Sequence, residues 1–248
     1  MKVKELEAKL FECFPKEIAA DFDNVGLLVG NPDYEIKGVV VALDCSIGAI
    51  EYAKEIEANV IVCHHPIMFS GIKTAIKGDI TFELISSGIS LIAMHTNFDS
   101  ATGGVCDILA DKLGIMNVEP LETEEGVTIR KGELCSPLSA KDFAILIKEK
   151  LGGNVKYADA GKLIKTVALC SGSGSGFVYD AICSGADAYI SGEIKHHLFY
   201  EGMQNGVSIF DCGHFESEVI AVDGLKNAVE SALGVKAEKY CHNEIKTI

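Results

Sequence analysis

A chain of 248 residues can bury a sizeable core, as one large α/β domain or as two small ones. Its 36 acids and 22 bases give a formal charge of −14, which disfavours broad binding to nucleic acid or to anionic membranes. With 48% apolar and 23% charged residues the composition is that of a soluble globular protein, and no apolar run reaches the length of a membrane span.

The opening M-K-V-K-E-L-E-A-K-L-F is charged throughout and contains acids, unlike a signal peptide. It reads as an amphipathic helix with Val3, Leu6 and Leu10 on one face and Pro15 beyond its end. Asp21–Gly30 is expected to turn into an edge strand, and Val39–Leu43 to form a buried strand ending at Asp44. Ser46 is the expected N-cap of a helix reaching about Glu57, with Asp44 in the same cap region. Val60–Cys63 is wholly apolar and partly β-branched, the pattern of a buried strand in a parallel sheet. His64 and His65 leave its carboxyl end, where open α/β sheets place ligands, and Pro66 stops the ladder. Adjacent strand side chains diverge, so the two imidazoles are expected to serve neighbouring ions rather than clamp one.

A helix over Asp79–Ser87 stops at Gly88, and the strand Ile89–Met94 runs directly into H-T-N-F-D-S, His95–Ser100. A helix follows from about Gly104 to Leu113, closed by Gly114. From Val118 to Gly161 the texture changes to an acidic stretch at Glu119–Glu125, strand pieces near Val127–Ile129 and an amphipathic helix from about Ser139 to Leu151. Strands at Val167–Cys170, Ala188–Ile190 and Val207–Phe210 then alternate with helices at Phe177–Ser184 and Ile194–Met203. The last of these strands ends in D-C-G-H, Asp211–His214, before a long helix Phe215–Leu233 and a final strand Val235–Tyr240. We therefore divide the chain into a first lobe at 1–117, a middle insert or second-lobe segment at 118–161, and a second α/β unit at 162–248, with discontinuous lobes as the alternative.

The two ends echo each other. A-L-D at Ala42–Asp44 precedes a helix and A-N-V-I-V, whereas A-L-C at Ala168–Cys170 precedes a helix and A-D-A-Y-I. I-S-L-I-A-M-H, Ile89–His95, matches V-S-I-F-D-C-G-H, Val207–His214. An internal duplication of an α/β unit explains the echo, against chance likeness between apolar βα units. The expected fold is two similar, interlocked α/β lobes with a metal site between them.

Three histidines and two carboxylates lie at or just beyond strand ends: His64, His65, Asp99, His214 and Glu218. Glu218 is one helical turn past His214 and shares its face, whereas Glu216 points away. Imidazole and carboxylate together suit one or two divalent ions such as zinc, iron or manganese. Two ions bridged by a carboxylate can share and activate a water for attack on carbon or phosphorus. An isolated H-H pair is more often a surface feature; the set of five is what points to metal.

His95 is a candidate proton shuttle or supporting partner, with simple packing as the alternative. Glu193, followed by Lys195, His196 and His197, is a candidate for proton transfer or substrate contact, against a solvated helix start. S-G-S-G-S-G, Ser171–Gly176, reads as a tight turn first and a phosphate cradle second, because no G-K-[ST] follows. The nine cysteines include no C-x-x-C pair and read as reduced thiols of a cytoplasmic protein, with Cys63 and Cys212 turned into the core.

D-N-V-G-L-L-V-G (Asp23–Gly30), H-H-P-I-M-F (His64–Phe69), H-T-N-F-D (His95–Asp99), G-A-D-A-Y-I-S-G-E (Gly185–Glu193) and D-C-G-H-F-E-S-E (Asp211–Glu218) occur in this order over nearly the whole chain. Together they resemble the NIF-three-like family, also called GTP cyclohydrolase 1 type 2 homologs. Phe22 departs from the tryptophan that many relatives carry. The resemblance implies two divalent ions per chain, one on His64 and Asp99 and the other on His65 and His214, with Glu218 bridging. It further implies a toroidal homohexamer and a metal-dependent hydrolase acting on a small, nucleotide-like substrate such as GTP. The rival expectation is a non-enzymatic metal-binding or regulatory ring that docks a partner.

Overall fold

The computed structural model describes residues 1–124, 126–234 and 236–246. The chain divides into two compact units, Met1–Ala101 with Val222–Ile248, and Thr102–Ala221. These boundaries differ from the sequence-based ones at 117/118 and 161/162.

In the first unit, helix α1 (Val3–Cys13) buries Val3, Leu6 and Leu10, the face its spacing predicts. Strand β1 (Gly26–Val29) forms the edge of a sheet, and β2 (Val39–Ala42) is buried at every residue. Helix α2 (Ile47–Glu55) starts at Ser46, whose hydroxyl accepts a hydrogen bond from the Ala49 N–H. Strand β3 (Val60–Cys63), helix α3 (Ile80–Ser87), strand β4 (Ser90–Ala93) and the single turn α4 (Thr96–Ser100) follow. Gly88 ends α3 in the left-handed conformation, at φ 66°. Strands β2, β3 and β4 run parallel in sequence order, and β1 is antiparallel to β4. Ile50, Ala53, Ile61, Leu84 and Leu91 form part of the core on one side of this sheet.

The second unit begins with α5 (Val105–Leu113) and the antiparallel strands β5 (Met116–Glu122) and β6 (Thr128–Leu138). It continues through α6 (Ala140–Leu151), β7 (Lys156–Ala158), β8 (Ile164–Leu169) and α7 (Val178–Cys183). Strand β9 (Ala188–Ser191), α8 (His196–Gln204), β10 (Ser208–Asp211) and the short α9 (His214–Glu218) complete it. Strands β8, β9 and β10 are parallel in sequence order, with β7 antiparallel to β10. Phe143 of α6 packs on Phe210 of β10 at a centroid separation of 5.1 Å. The chain then returns to the first unit with α10 (Val222–Leu233) and β11 (Glu238–Tyr240), which pairs in parallel with β2.

The segment 118–161 is thus built into the second sheet, because β6 pairs with β8 along most of its length. Most of its acidic stretch belongs to the exposed strand β5, where no strand was expected, and the pieces expected near Val127–Ile129 are the start of the longer β6; Glu125 lies outside the described residues. The long helix expected over Phe215–Leu233 is broken by a tight turn at Val219–Ala221, at the boundary between the units. The last strand is shorter than Val235–Tyr240, and Val235 lies outside the described residues.

The echo seen in the sequence is an echo of topology. From α1 to β4 and from α6 to β10 the order is helix, two strands, helix, strand, helix, strand. The strands lie as β1-β4-β3-β2 in one sheet and β7-β10-β9-β8 in the other. Among the described residues no helix is long and apolar enough to cross a membrane.

Candidate metal centre

Strand β3 of the first unit is buried at every residue, which fixes where its end must be. The backbone N–H groups of His64 and His65 donate to Leu43 O at 3.1 and 3.0 Å, so both histidines start from a held backbone. His64 is buried, and its Nδ1 donates to the Met94 carbonyl oxygen at 2.8 Å. A carbonyl can only accept, so Nδ1 carries the hydrogen and Nε2 keeps its lone pair. Nε2 in turn lies 3.7 Å from Asp99 Oδ1, on α4. Two electron-pair donors that face each other in this way are reconciled by a cation.

His65 and His95 are held in the same manner. His65 Nδ1 lies 2.7 Å from Asp44 Oδ1, and His95 Nδ1 lies 2.9 Å from Asp23 Oδ1. The Asp23 side chain is fully buried and also accepts from the Thr96 N–H at 2.9 Å and from the Thr96 hydroxyl. Burial opposes its ionisation, but the hydrogen bonds from His95 and Thr96 outweigh that and lower its pKa to about 2. His64, His65 and His95 each offer a ligand atom within 4.8 Å of the others, a group that can hold a metal ion. The two imidazoles diverge less than expected, a spacing open to one shared ion or to two neighbouring ones. Regular strand ends at Cys63, so strict side-chain alternation no longer applies, and the two rings lie 4.9 Å apart.

In the second unit the donors come from a helix. Gly213, at φ 91°, lets the chain leave β10 and enter α9 at once. His214 Nε2 lies 3.0 Å from Glu218 Oε2 one turn later, and its Nδ1 lies 3.3 Å from Glu193 Oε1. Glu218 is buried whereas Glu193 is exposed, so the two carboxylates beside His214 sit in different surroundings. Glu193, the candidate for proton transfer or substrate contact, lies beside His214 Nδ1 and is exposed. His196 and His197 open α8 in solvent, the bland reading for that pair.

The loop Ser171–Gly176 serves as a brace. The Gly172 N–H donates to Ser217 Oγ at 3.1 Å, and the Gly174 N–H donates to Ser191 Oγ at 2.8 Å. Gly172 O accepts from Ser191 Oγ and from the Glu193 N–H, both at 2.9 Å. Ser175 Oγ donates to Glu193 O at 2.9 Å. Through these bonds the loop is a glycine turn that supports Glu193 and α9. A Cβ on Gly172, at φ 53°, would lie 2.0 Å from Glu218 Oε1.

A family model described as Duf34/NIF3 (NGG1p interacting factor 3) matches residues 1–246. The chain belongs to the DUF34/NIF3 family. It is 35% identical, over 99% of its length and 98% of the relative's, to the GTP cyclohydrolase 1 type 2 homolog of Clostridium perfringens. The crystal structure of Staphylococcus aureus protein SA1388 superposes with a TM-score of 0.91 at 28% identity, covering 100% of this chain and 99% of that one. Reduced HcgD from Methanocaldococcus jannaschii gives a TM-score of 0.84 at 28% identity, covering 96% and 97% of the respective chains.

Two acids of this DUF34/NIF3 chain escaped the sequence reading. Asp44 was placed in a cap region, but Ser46 caps α2 and Asp44 instead faces His65. Asp23 was read only as part of a turn, and its partner lies 72 positions away, beyond any local spacing rule. Cys63 and Cys212 are fully buried, as expected. Burial raises both thiols, with Asp211 adding to the effect at Cys212, whose pKa is pushed up to about 12.

Proposed function

We propose that this DUF34/NIF3 protein binds two divalent metal ions and, with them, hydrolyses a small, nucleotide-like substrate. The ligands are His64, His65, Asp99, His214 and Glu218. The assignment of His64 and Asp99 to one ion, His65 and His214 to the other, and Glu218 to both is drawn from the family resemblance. One observation carries the reading. All four imidazoles turn Nδ1 toward an acceptor, namely Met94 O, Asp44, Asp23 and Glu193. That pattern supports Nε2 as the ligand atom of His64, His65 and His214, and the neutral imidazole and carboxylate set fits zinc, iron or manganese.

When bound, such ions supply Lewis acidity and lower the pKa of water. Within this reading, Asp44 and Glu193 orient His65 and His214, and Asp23 fixes the His95 ring with Nε2 as its proton-accepting atom. His95 is then the candidate to take a proton from the attacking water, and Glu193 is a candidate proton relay beside His214. By the same resemblance we assign a toroidal homohexamer, and the cysteine pattern, with no C-x-x-C pair, supports the reducing cytoplasm.

Elemental analysis of the purified protein is the test, with two equivalents of metal expected per chain. His214→Ala and Glu218→Gln should each lose at least one equivalent, and metal content unchanged in both would remove the reading. Turnover of GTP and a phosphoester panel should require the metal and fall in His95→Ala and Glu193→Gln at retained metal content. A fully loaded protein that turns over nothing on the panel would leave a metal-binding ring without catalysis. Light scattering should return six times the protomer mass.

A further inference from the structure

Phenylalanine, which has no polar tip, is normally withdrawn from water, and the phenylalanines of this chain obey that rule with one local exception. Of its eleven phenylalanines, only Phe22 and Phe69 are largely exposed, at 63% and 54%. The two exceptions are neighbours, with ring centroids 6.2 Å apart at an interplanar angle of 51°. The Phe69 ring also lies 5.8 Å from the His95 ring, so the pair borders the imidazole cluster of the first unit. The two segments that carry them are tied together, since Asn24 Nδ2 donates to the Met68 carbonyl oxygen at 2.9 Å. By contrast the Phe14–Phe98 pair, at 4.4 Å, is buried and accounted for by the core.

We propose that Phe22 and Phe69 form a stacking platform for a planar heteroaromatic ring of the substrate, set beside His95. An exposed aromatic face binds any flat π system without reading its hydrogen-bonding edge, which is how nucleobases are held without sequence preference. The platform thereby selects a class, nucleobase-like or pterin-like rings, and leaves discrimination within the class to polar groups. This deepens the hydrolase reading by naming what the substrate must present, but stacking itself requires no metal.

The chain has no tryptophan, so Phe22→Trp creates a single fluorescent reporter at the platform. In chelator-treated protein its emission should be quenched by guanosine, the other ribonucleosides or pterin, and not by ribose 5-phosphate. Adding Phe69→Ala should weaken guanosine binding at least fivefold, and Phe69→Tyr should restore it. Equilibrium dialysis of guanosine against the unaltered chain and against Phe22→Ala/Phe69→Ala checks the result without the reporter. Binding of none of these rings, or equal affinity with and without the two phenylalanines, overturns the proposal. A double variant that loses oligomer mass and leaves nucleoside binding intact also overturns it, by making the pair an interface between copies. If guanosine binds here while the protein takes up no metal, the metal reading alone fails.

Discussion

The two units repeat one topology yet furnish their donors by different means. In the first, the end of the middle parallel strand β3 carries the donors themselves, the buried His64 followed by His65. In the second, the matching strand β9 is followed by Gly192 and Glu193, and the donors His214 and Glu218 rise from α9. A Cβ on Gly192 would meet Ser217 Oγ at 2.6 Å, Gly172 O at 2.8 Å and His214 Cα at 2.8 Å. Histidine at a strand end in one unit and glycine in the other are thus two ways of using one frame. Where the strand lacks a donor, the side chain is removed so that a donor-bearing helix can close in. The frame supplies positions, and the residues at those positions decide what reaches them.

Filling the glycine side of this comparison should have the largest effect. Gly172→Ala combines a left-handed backbone with a clash against a buried carboxylate, so a loss of about 3 kcal/mol in chemical denaturation is expected. His64→Ala, which removes a donor without closing space, should cost clearly less stability while lowering metal content. Equal losses for the two would break the contrast.

Asp23 comes next, because in the second unit the acid facing the imidazole Nδ1, Glu193, is exposed whereas Asp23 is buried. Its folded pKa of about 2 lies below the ordinary value of 3.8, so the contribution is fully present above about pH 4 and is lost as pH falls through 2. Asp23→Asn should therefore cost about 2 kcal/mol near neutral pH, and the difference from the parent should shrink below pH 4. Denaturation at a series of pH values reads this directly, and a constant difference across the range would count against it.

The exposed orienting acids should act more weakly and in parallel. Asp44→Ala and Glu193→Ala are each expected to reduce metal affinity about tenfold by freeing His65 or His214 to turn, with little change in melting temperature. The smallest effect concerns Cys63 and Cys212, buried just behind donors in the two units. Thiol titration of the folded protein should label the exposed Cys13, Cys135, Cys183 and Cys241 and spare these two until the chain is denatured.

Much of the first unit was legible because its signals are local. Wholly apolar β-branched runs, the Ser46 cap and the Gly88 stop depend on neighbours only a few positions away. The relation of Glu218 to His214 was legible for the same reason, since helical geometry joins positions four apart. The exposed strand β5 was missed, and the partly buried β6 was seen only at its start, because acids and lysines dilute the alternation that marks a half-buried strand. The break between α9 and α10 lies inside a continuous apolar pattern with no proline or glycine to announce it.

The amino-acid order alone determined the metal-ligand chemistry on offer, the family and the alternation of strand and helix, because each rests on residue type and short-range spacing. Only the tertiary structure decided which acid holds which imidazole, why Gly172 must be glycine, and that β11 returns to the first sheet. Those outcomes come from backbone pairing and side-chain contact between segments tens of residues apart, for which the linear chain carries no periodic signal.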